Sequence, residues 1–225
     1  MNNAVLILGE SGSGKSTSIR SLPPEETFIL KVISKPLPFR GAEKLYPTVD
    51  FKELTGNQYV CESAEKILSV IQHVNNKRPD IKNLVIDDCN YIMTSEFMEK
   101  AFTKGYDKFL EMAKNIWDIL RLITKLRDDL YIFMMFHTDH DINGKAKTKT
   151  IGKMLDEKVC IEGLITIVLH AVITQEGHKF LTQNSSQYLA KSPDGMFKDR
   201  LINNDLLLVK QSIHEYYNDD STKEI

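Results

Sequence analysis

The chain has 225 residues, of which 42% are hydrophobic and 27% charged, as expected for a globular protein with one substantial core. Its formal net charge of −2 excludes a general attraction to nucleic acid, so contact with DNA would require a local basic patch. The three cysteines are odd in number and far apart, which argues against a disulfide framework or a zinc-ligand pair.

The first predicted element is a buried strand, residues 4–8 (AVLIL), followed at once by a glycine-rich turn. Residues 9–16 (GESGSGKS) match the pattern G-x-x-x-x-G-K-[S/T] at every fixed position. The backbone amides of such a turn, and the amino end of the helix that follows it, face a bound anion. We therefore expect nucleotide contacts from Gly9, Glu10, Ser11, Gly12, Ser13, Gly14, Lys15, Ser16 and Thr17.

Three side chains at the end of this turn have separate expected roles. Lys15 should lie on the β- and γ-phosphates of the nucleotide, where it also assists catalysis, and the Ser16 hydroxyl should ligate Mg²⁺. Thr17 can reach the α-phosphate. The alternative interpretation is a Gly/Ser turn that only joins a strand to a helix.

The following segments predict a short helix up to Ser21, a strand at residues 27–33 and a long connection. The connection, residues 34–57, contains three prolines and has no clear period, so we expect a loop that lies over the nucleotide. Ser63 begins an amphipathic helix.

An apolar strand that ends in two acids follows at residues 84–88 (LVIDD). Downstream of a phosphate-binding turn, this pattern is typical of the Walker B strand, whose carboxylate holds Mg²⁺. Asp87 is the predicted metal-side residue. Asp88 has two open roles, since it could orient the attacking water or cap the next helix.

Another amphipathic helix is predicted at residues 106–127, and residues 130–136 (LYIFMMF) form a strand that is apolar on both faces. Such strands lie in parallel sheets between helices, and open α/β sheets bind ligands at the carboxyl ends of their strands. His137 or Thr138, directly after this strand, could therefore sense the γ-phosphate.

Three lysines alternate in the basic segment that follows: Lys145, Lys147 and Lys149. On an extended chain they would face the same way and could follow a phosphate backbone. The alternative is a solvated turn. Residues 166–173 and 178–183 then predict an antiparallel hairpin at the edge of the sheet, a last helix begins near Asp205, and residues 218–225 form a flexible tail.

This order of elements resembles a compact RecA-type ATPase core, and in particular the phage-encoded AAA-type proteins that include the Sak4-like single-strand annealing recombinases. The resemblance depends on residues 9–17, 84–88, 133–138 and 190–195 (AKSPDG). It implies an α/β fold: a three-layer RecA-like P-loop NTPase core at residues 1–217, with a mainly parallel sheet and a C-terminal antiparallel β-hairpin.

The resemblance also implies ATP and Mg²⁺ as ligands, ADP as product, and assembly into a ring or filament. Lys191 is the candidate cation that would complete a neighbour's site, with a surface lysine in a turn as the alternative. Residues 139–153, which contain the three lysines, would contact single-stranded DNA, and a single-strand-binding or other recombination protein could be a partner.

One departure concerns the catalytic glutamate, which RecA-type enzymes place after the strand beside the phosphate-binding strand. Residues 31–35 (KVISK) offer no acid there. Hydrolysis is therefore expected to be slow, with Glu43 or Asp88 as the substitute.

Three functions follow from these features: an ATPase of phage DNA recombination or replication, a nucleotide-gated interaction protein with little hydrolysis, or a nucleoside or nucleotide kinase. The kinase is the least favoured, because the six arginines form no lid-like cluster. No apolar run approaches the ~18 residues of a membrane span, and the chain opens on the predicted strand with no leader. We therefore expect no membrane contact and a cytoplasmic location, in the bacterial host if the protein is phage-encoded.

Overall fold

A nine-stranded sheet forms the centre of the computed structural model, which describes residues 3–50, 55–141, 144–151 and 159–218. Its strands are β1 (Ala4–Gly9), β2 (Thr27–Lys31), β3 (Gln58–Val60), β4 (Asn83–Asp87), β5 (Tyr131–His140), β6 (Ala146–Thr148), β7 (Ile167–Thr174), β8 (Gly177–Leu181) and β9 (Leu201–Asn203). The strand order is β3-β2-β4-β5-β1-β7-β8-β9, and β6 pairs with β5 beside this row.

Six neighbouring strands, from β3 to β7 in this order, are parallel, whereas β8 and β9 are antiparallel additions. This confirms the predicted mainly parallel sheet with a late antiparallel hairpin. The hairpin is not wholly at the edge, because β7 also pairs with β1 and the edge strand is β9. Sequence patterns predicted the two hairpin strands, β7 and β8, but they did not predict β9, which pairs with β8.

Helices cover both faces of the sheet. They are α1 (Ala42–Leu45), α2 (Ala64–Lys77), α3 (Asn90–Glu99), α4 (Asp107–Ile123), α5 (Ile161–Leu164) and α6 (Leu206–Asn218), with 3₁₀ helices at Ser16–Ser21 and Pro24–Glu26. As predicted, Ser63 caps α2, because its hydroxyl accepts a hydrogen bond from the backbone N–H of Lys66 at 3.5 Å. None of the described helices combines the length and apolarity needed to cross a bilayer.

Two apolar clusters fill the space between the layers. Alternate residues of β1 point to opposite faces, so Leu6 and Leu8 pack with α2, α3 and α4, while Val5 and Ile7 pack with α6. All four of these side chains are buried. The result is three layers with the carboxyl ends of the parallel strands aligned at one end of the sheet.

Part of the connection between β2 and β3 packs against the core, whereas Lys35 near its start lines a cavity beside the glycine-rich turn, as predicted for a loop over the nucleotide. Residues 51–54 of the connection lie outside the described residues. Tyr46, directly after α1, is fully buried, and its hydroxyl donates to the carbonyl oxygens of Ile19 and Leu22 at 3.4 and 3.2 Å. These carbonyls belong to the end of the first 3₁₀ helix and the residue after it. Of the tail predicted at residues 218–225, Asn218 is the last residue of α6, and residues 219–225 lie outside the described residues.

A buried histidine on β7 makes the stability of the fold sensitive to acid. His170 is 1% exposed, its Nδ1 lies 3.4 Å from the carbonyl oxygen of Leu189, and burial lowers its pKa to about 4. In the unfolded chain this histidine binds a proton below pH ~6.5, whereas in the folded protein it does so only below about pH 4. The free energy of unfolding should therefore decrease as the pH falls from ~6.5 to about 4.

The substitution His170→Gln is expected to reduce this acid sensitivity. Between pH 7.5 and 4.5 the unaltered protein should lose about 2 kcal/mol more free energy of unfolding than the variant, as measured by urea denaturation. His73→Gln, at an exposed position on α2, is the matched control. Equal acid losses in the unaltered protein and the His170 variant would contradict the assignment.

Candidate nucleotide-binding site

The glycine-rich turn joins the carboxyl end of β1 to the first 3₁₀ helix. Gly12 and Gly14 have φ values of +78° and +98°, a region that favours glycine. A Cβ atom on Gly14 would lie 2.7 Å from the ring of His178, whose Nδ1 is 3.1 Å from the carbonyl oxygen of Ser13. Strand β8 thus holds the turn from one side, and no pattern in the sequence indicated this role for His178.

Lys15 curls back into the turn that carries it. Its Nζ donates to the carbonyl oxygens of Gly9 and Glu10, both at 2.8 Å, and the residue is 5% exposed. Burial lowers its pKa to about 8, and the charges of Asp87 and Asp88 oppose that shift. Within the described part of the chain, this buried ammonium group donates to two carbonyl oxygens, and it is well placed to exchange them for phosphate oxygens.

The Walker B acid meets the turn because one strand, β5, separates β4 from β1. The Ser16 hydroxyl donates to Oδ1 of Asp87 at 2.9 Å. Burial and the charge of Asp88 raise the pKa of Asp87 to about 6, although the Ser16 hydrogen bond lowers it. A hydroxyl and a carboxylate in contact are oxygen ligands of the kind that Mg²⁺ prefers.

An unpartnered hydroxyl also fits the turn to a polar ligand. The Ser13 Oγ is buried and has no hydrogen-bond partner among the described residues. Thr17 is half-buried in the first turn of the 3₁₀ helix, and Glu10 and Ser11 are exposed at its entrance. The residues predicted to bind phosphates and Mg²⁺ therefore lie together and fit both groups.

Asp88 contacts the side chains of His137 and Lys35 and does not cap the next helix. Its Oδ1 lies 3.2 Å from Nε2 of His137, and Lys35 forms an ion pair with its other oxygen. Burial would raise the pKa of Asp88, but the hydrogen bonds from His137 and Lys35 outweigh that effect and lower it. The N-cap of α3 is Cys89, which makes no side-chain capping bond, so the capping alternative is wrong.

The backbone of Asp88 is unusual as well. Its φ of +63° is the one positive value for a non-glycine residue among the described residues. Aspartate tolerates this left-handed region better than most side chains, and such conformations cluster at functional sites. The conformation accompanies a carboxylate that lies between His137 and Lys35.

A cavity of about 560 Å³ opens beside the turn. Its walls include Glu10, Ser11, Lys35, His137, Thr138 and Lys149. The two residues predicted to sense the γ-phosphate therefore face the same space as the start of the turn. The buried Thr138 Oγ1 has no partner within the described part of the chain.

Asn90, which no sequence pattern marked as a site residue, connects three parts of this cavity. Its Oδ1 accepts the backbone N–H of His137, and its Nδ2 donates to the carbonyl oxygen of Lys149. The backbone N–H of Lys149 in turn donates to the carbonyl oxygen of His137 at 2.9 Å. The start of α3 is thereby fastened to the end of β5 and to the lysine segment.

Volume alone does not mark the functional site. A larger cavity of about 800 Å³ lies at the opposite end of the sheet, where Asn3, Tyr131 and α6 contribute to its walls. It has no phosphate-binding turn and no Walker acid. The smaller cavity is the one that Glu10 and Ser11 of the phosphate-binding turn line, so it is the candidate space for a nucleotide.

Two predicted residues lie apart from this cavity. Glu43 is exposed on α1, and the cavity walls come from other residues, so the structure does not bring it into position as a substitute catalytic acid. Lys191 is exposed and forms an antiparallel bridge with Val168 of β7, on the other side of β1 from Asp87. Its role toward a neighbouring subunit stays a prediction.

Residues 31–35, where a catalytic glutamate was expected, do not follow a strand beside β1. The strand before residues 32–35 is β2, which pairs with β3 and β4 and not with β1. The backbone N–H of Val32 donates to the carbonyl oxygen of Asp87 at 3.1 Å. The segment thus lies beside the Walker B acid, and the charged residue that it contributes there is Lys35.

The lysine segment forms a short ribbon with the end of β5. Strand β6 pairs Lys147 with Asp139, and burial alternates along it, with Ala146 and Thr148 inward. The three lysines are half-buried or exposed on the other side, as expected for an extended chain. Residues 142–143 and 152–153 of the predicted DNA-contacting segment lie outside the described residues.

The sheet is parallel, its first strand ends in a phosphate-binding turn, and a Walker B acid ends the strand β4, which β5 separates from β1. These features together define a P-loop NTPase fold. A family model for an AAA domain matches residues 1–193. The chain therefore belongs to this AAA domain family.

A similar solved structure is a KaiC-like protein from the hyperthermophilic archaeon Pyrococcus horikoshii OT3. It is 14% identical, with a TM-score of 0.48, and the alignment covers 80% of this chain and 77% of that one. No curated protein matches the chain.

Proposed function

We propose that the protein binds ATP with Mg²⁺ and hydrolyses it slowly. The observation that carries this proposal is the contact at 2.9 Å between the Ser16 hydroxyl and Asp87, next to the buried ammonium group of Lys15. The turn amides and Lys15 would hold the phosphates, while Ser16 and Asp87 would hold the metal. Bound Mg²⁺ would supply positive charge that offsets the charge developing on the phosphates.

Asp88 is the acid best placed to orient a water molecule for hydrolysis. Its low pKa keeps it ionised, so it can accept a proton or a hydrogen bond from water. Both of its oxygens already have partners, His137 and Lys35, so a water molecule would compete with them for the carboxylate. This competition supports a slow reaction.

The pairing of Asp88 with His137 and Lys35 also favours a second candidate function, a nucleotide-gated interaction protein. If Asp88 stays paired, ATP would set a conformation and hydrolysis would act only as a timer or not at all. The two candidates differ in one measurement. Partner binding that requires ATP and persists in Asp88→Asn, with no turnover in the unaltered protein, would select the gated protein.

We further propose that the ATPase acts on or with single-stranded DNA in phage recombination or replication. The ribbon that carries Lys145, Lys147 and Lys149 continues from β5, whose residues His137 and Thr138 line the nucleotide cavity. Asn90 joins the two regions by hydrogen bonds. Bound nucleotide could thereby influence the lysines that would contact a phosphate backbone.

Assembly and location follow from the same resemblance to phage recombinases. We propose a ring or filament in which Lys191 of one subunit approaches the nucleotide of the next. A single-strand-binding or other recombination protein is the proposed partner. The proposed location is the cytoplasm of the bacterial host.

Replacing the three ribbon lysines by glutamine is expected to weaken DNA binding strongly. Each lost phosphate contact lowers the salt slope of single-strand binding by roughly 0.7, so three contacts should lower it by about 2 and reduce affinity at low salt roughly 10- to 100-fold. The measurement is fluorescence anisotropy of a labelled oligothymidylate across a salt series. ATP turnover with and without this DNA is recorded in parallel.

The matched control replaces Lys66, Lys77 and Lys125 by glutamine, which changes the net charge equally at exposed positions elsewhere. ATP affinity is also measured, because Lys149 lines the nucleotide cavity. An equal loss of DNA binding in the control triple would attribute the effect to net charge alone. Absence of binding by the unaltered protein at low salt would remove the DNA proposal while leaving the ATPase proposal standing.

A further inference from the structure

Lys35 lies where the segment after β2 reaches the nucleotide cavity. Its backbone is fixed locally, since its N–H donates to the carbonyl oxygen of Ile33 at 2.9 Å and its own carbonyl accepts from Nζ of Lys31 at 2.7 Å. The side chain is 46% exposed, so its stem can move while its base stays in place. Its Nζ pairs with Asp88.

The position of Lys35 complements that of Lys15. Lys15 belongs to the turn and is buried beneath it, whereas Lys35 approaches from the Walker B side and lines the cavity together with Glu10 and Ser11. Burial is the largest cause of the pKa shifts of Lys15 and Asp87. The charge of Lys35 is a smaller cause, and it lowers the pKa of both groups. The ammonium groups of Lys15 and Lys35 are therefore both close enough to the candidate nucleotide cavity to attract a phosphate bound there.

The cavity is poised for an exchange of partners. Asp88 is a buried carboxylate that keeps His137 as a second hydrogen-bond partner if Lys35 leaves. A lysine is a compact charge on a flexible stem, so it can exchange a carboxylate for a phosphate without movement of the backbone. Ser16 and Asp87 would hold Mg²⁺, which would supply positive charge to the terminal phosphates of a bound nucleotide.

We propose that Lys35 is a cation supplied by the same subunit that leaves Asp88 and binds the γ-phosphate when a nucleoside triphosphate enters the cavity. The inference deepens the proposed nucleotide function and rests on it. It gives the protein a means of distinguishing ATP from ADP that needs no residue from a neighbouring subunit. The exchange also frees one oxygen of Asp88.

The test compares affinities for a non-hydrolysable ATP analogue and for ADP, both with Mg²⁺, by isothermal titration calorimetry. In Lys35→Met, the affinity for the triphosphate is expected to fall 10- to 100-fold, whereas that for ADP changes less than twofold. Lys35→Arg should retain most of the preference for triphosphate. Lys44→Met, at an exposed position on the same connection, should bind both nucleotides like the unaltered protein.

Loss of Lys35 leaves Asp88 with one partner fewer, so the unfolding midpoint of each variant is measured as well. The double variant Lys35→Met/Asp88→Asn removes both charges and should keep the fold while still lacking the preference for triphosphate. Equal weakening of both nucleotides, no weakening of either, or recovery of the preference in the double variant would overturn the role of Lys35 alone. Failure of the unaltered protein to bind either nucleotide would overturn the proposed function and this inference together.

Discussion

Replacing Lys15 by alanine is expected to weaken ATP binding at least 100-fold while the fold is retained. Its Nζ bonds to two carbonyl oxygens of its own turn, and hydrogen bonds from a charged donor to phosphate contribute about 1.5–3 kcal/mol each. The ammonium group is buried, and its lowered pKa shows that burial opposes its charge. The free energy of unfolding without nucleotide should therefore be unchanged or higher in the variant.

Calorimetry with Mg·ATP measures the affinity, and urea denaturation without nucleotide measures the stability. The mass in solution and single-stranded DNA binding are recorded on the same samples, because both depend on nucleotide if the protein works as a ring or filament. Lys125→Ala, at an exposed position beyond α4, is the control. Unchanged ATP affinity in the Lys15 variant would remove the phosphate-binding role of the turn.

Replacing Asp87 by asparagine is expected to separate metal-dependent chemistry from folding. The amide keeps an oxygen that can accept the 2.9 Å hydrogen bond from the Ser16 hydroxyl, but it loses the negative charge that would hold Mg²⁺. We expect turnover to fall at least 100-fold, about 2.7 kcal/mol in activation free energy. Stability should be maintained, because the buried carboxylate is destabilised by burial and by Asp88.

A readout besides turnover keeps this prediction measurable if hydrolysis is slow. The gain in ATP affinity on adding Mg²⁺ should be large in the unaltered protein and nearly absent in Asp87→Asn. The exposed carboxylate of Asp80, paired with Arg78, supplies the control substitution Asp80→Asn. A variant that keeps the full magnesium-dependent gain would show that Asp87 is not the metal-side residue.

Contiguous residues determined the features that could be predicted. The glycines, Lys15 and Ser16 of the turn follow one another in the chain, so their spacing defines the local backbone and its chemistry. Apolar runs likewise indicated the buried parallel strands, and alternation indicated that the three lysines share one side of β6. Each of these signals depends on backbone geometry within a few residues.

Local sequence patterns could not predict some of the residues that surround the site. Lys35 reaches Asp88 because β2 lies beside β4, and His178 closes on Gly14 because β8 extends the sheet beyond β7. Asn90 joins β5 to the lysine segment across the cavity. None of these partners is adjacent in the chain, and no local period links them.

By itself, the sequence determined the phosphate-binding turn, the Walker acid and the class of fold, because each is encoded in residues that fold as local units. The tertiary structure alone decided which groups surround Asp88. That decision depends on strand order, since pairing between distant segments brings the carboxyl ends of β2, β4, β5 and β1 to one end of the sheet. A local pattern specifies each strand but not the strand beside it.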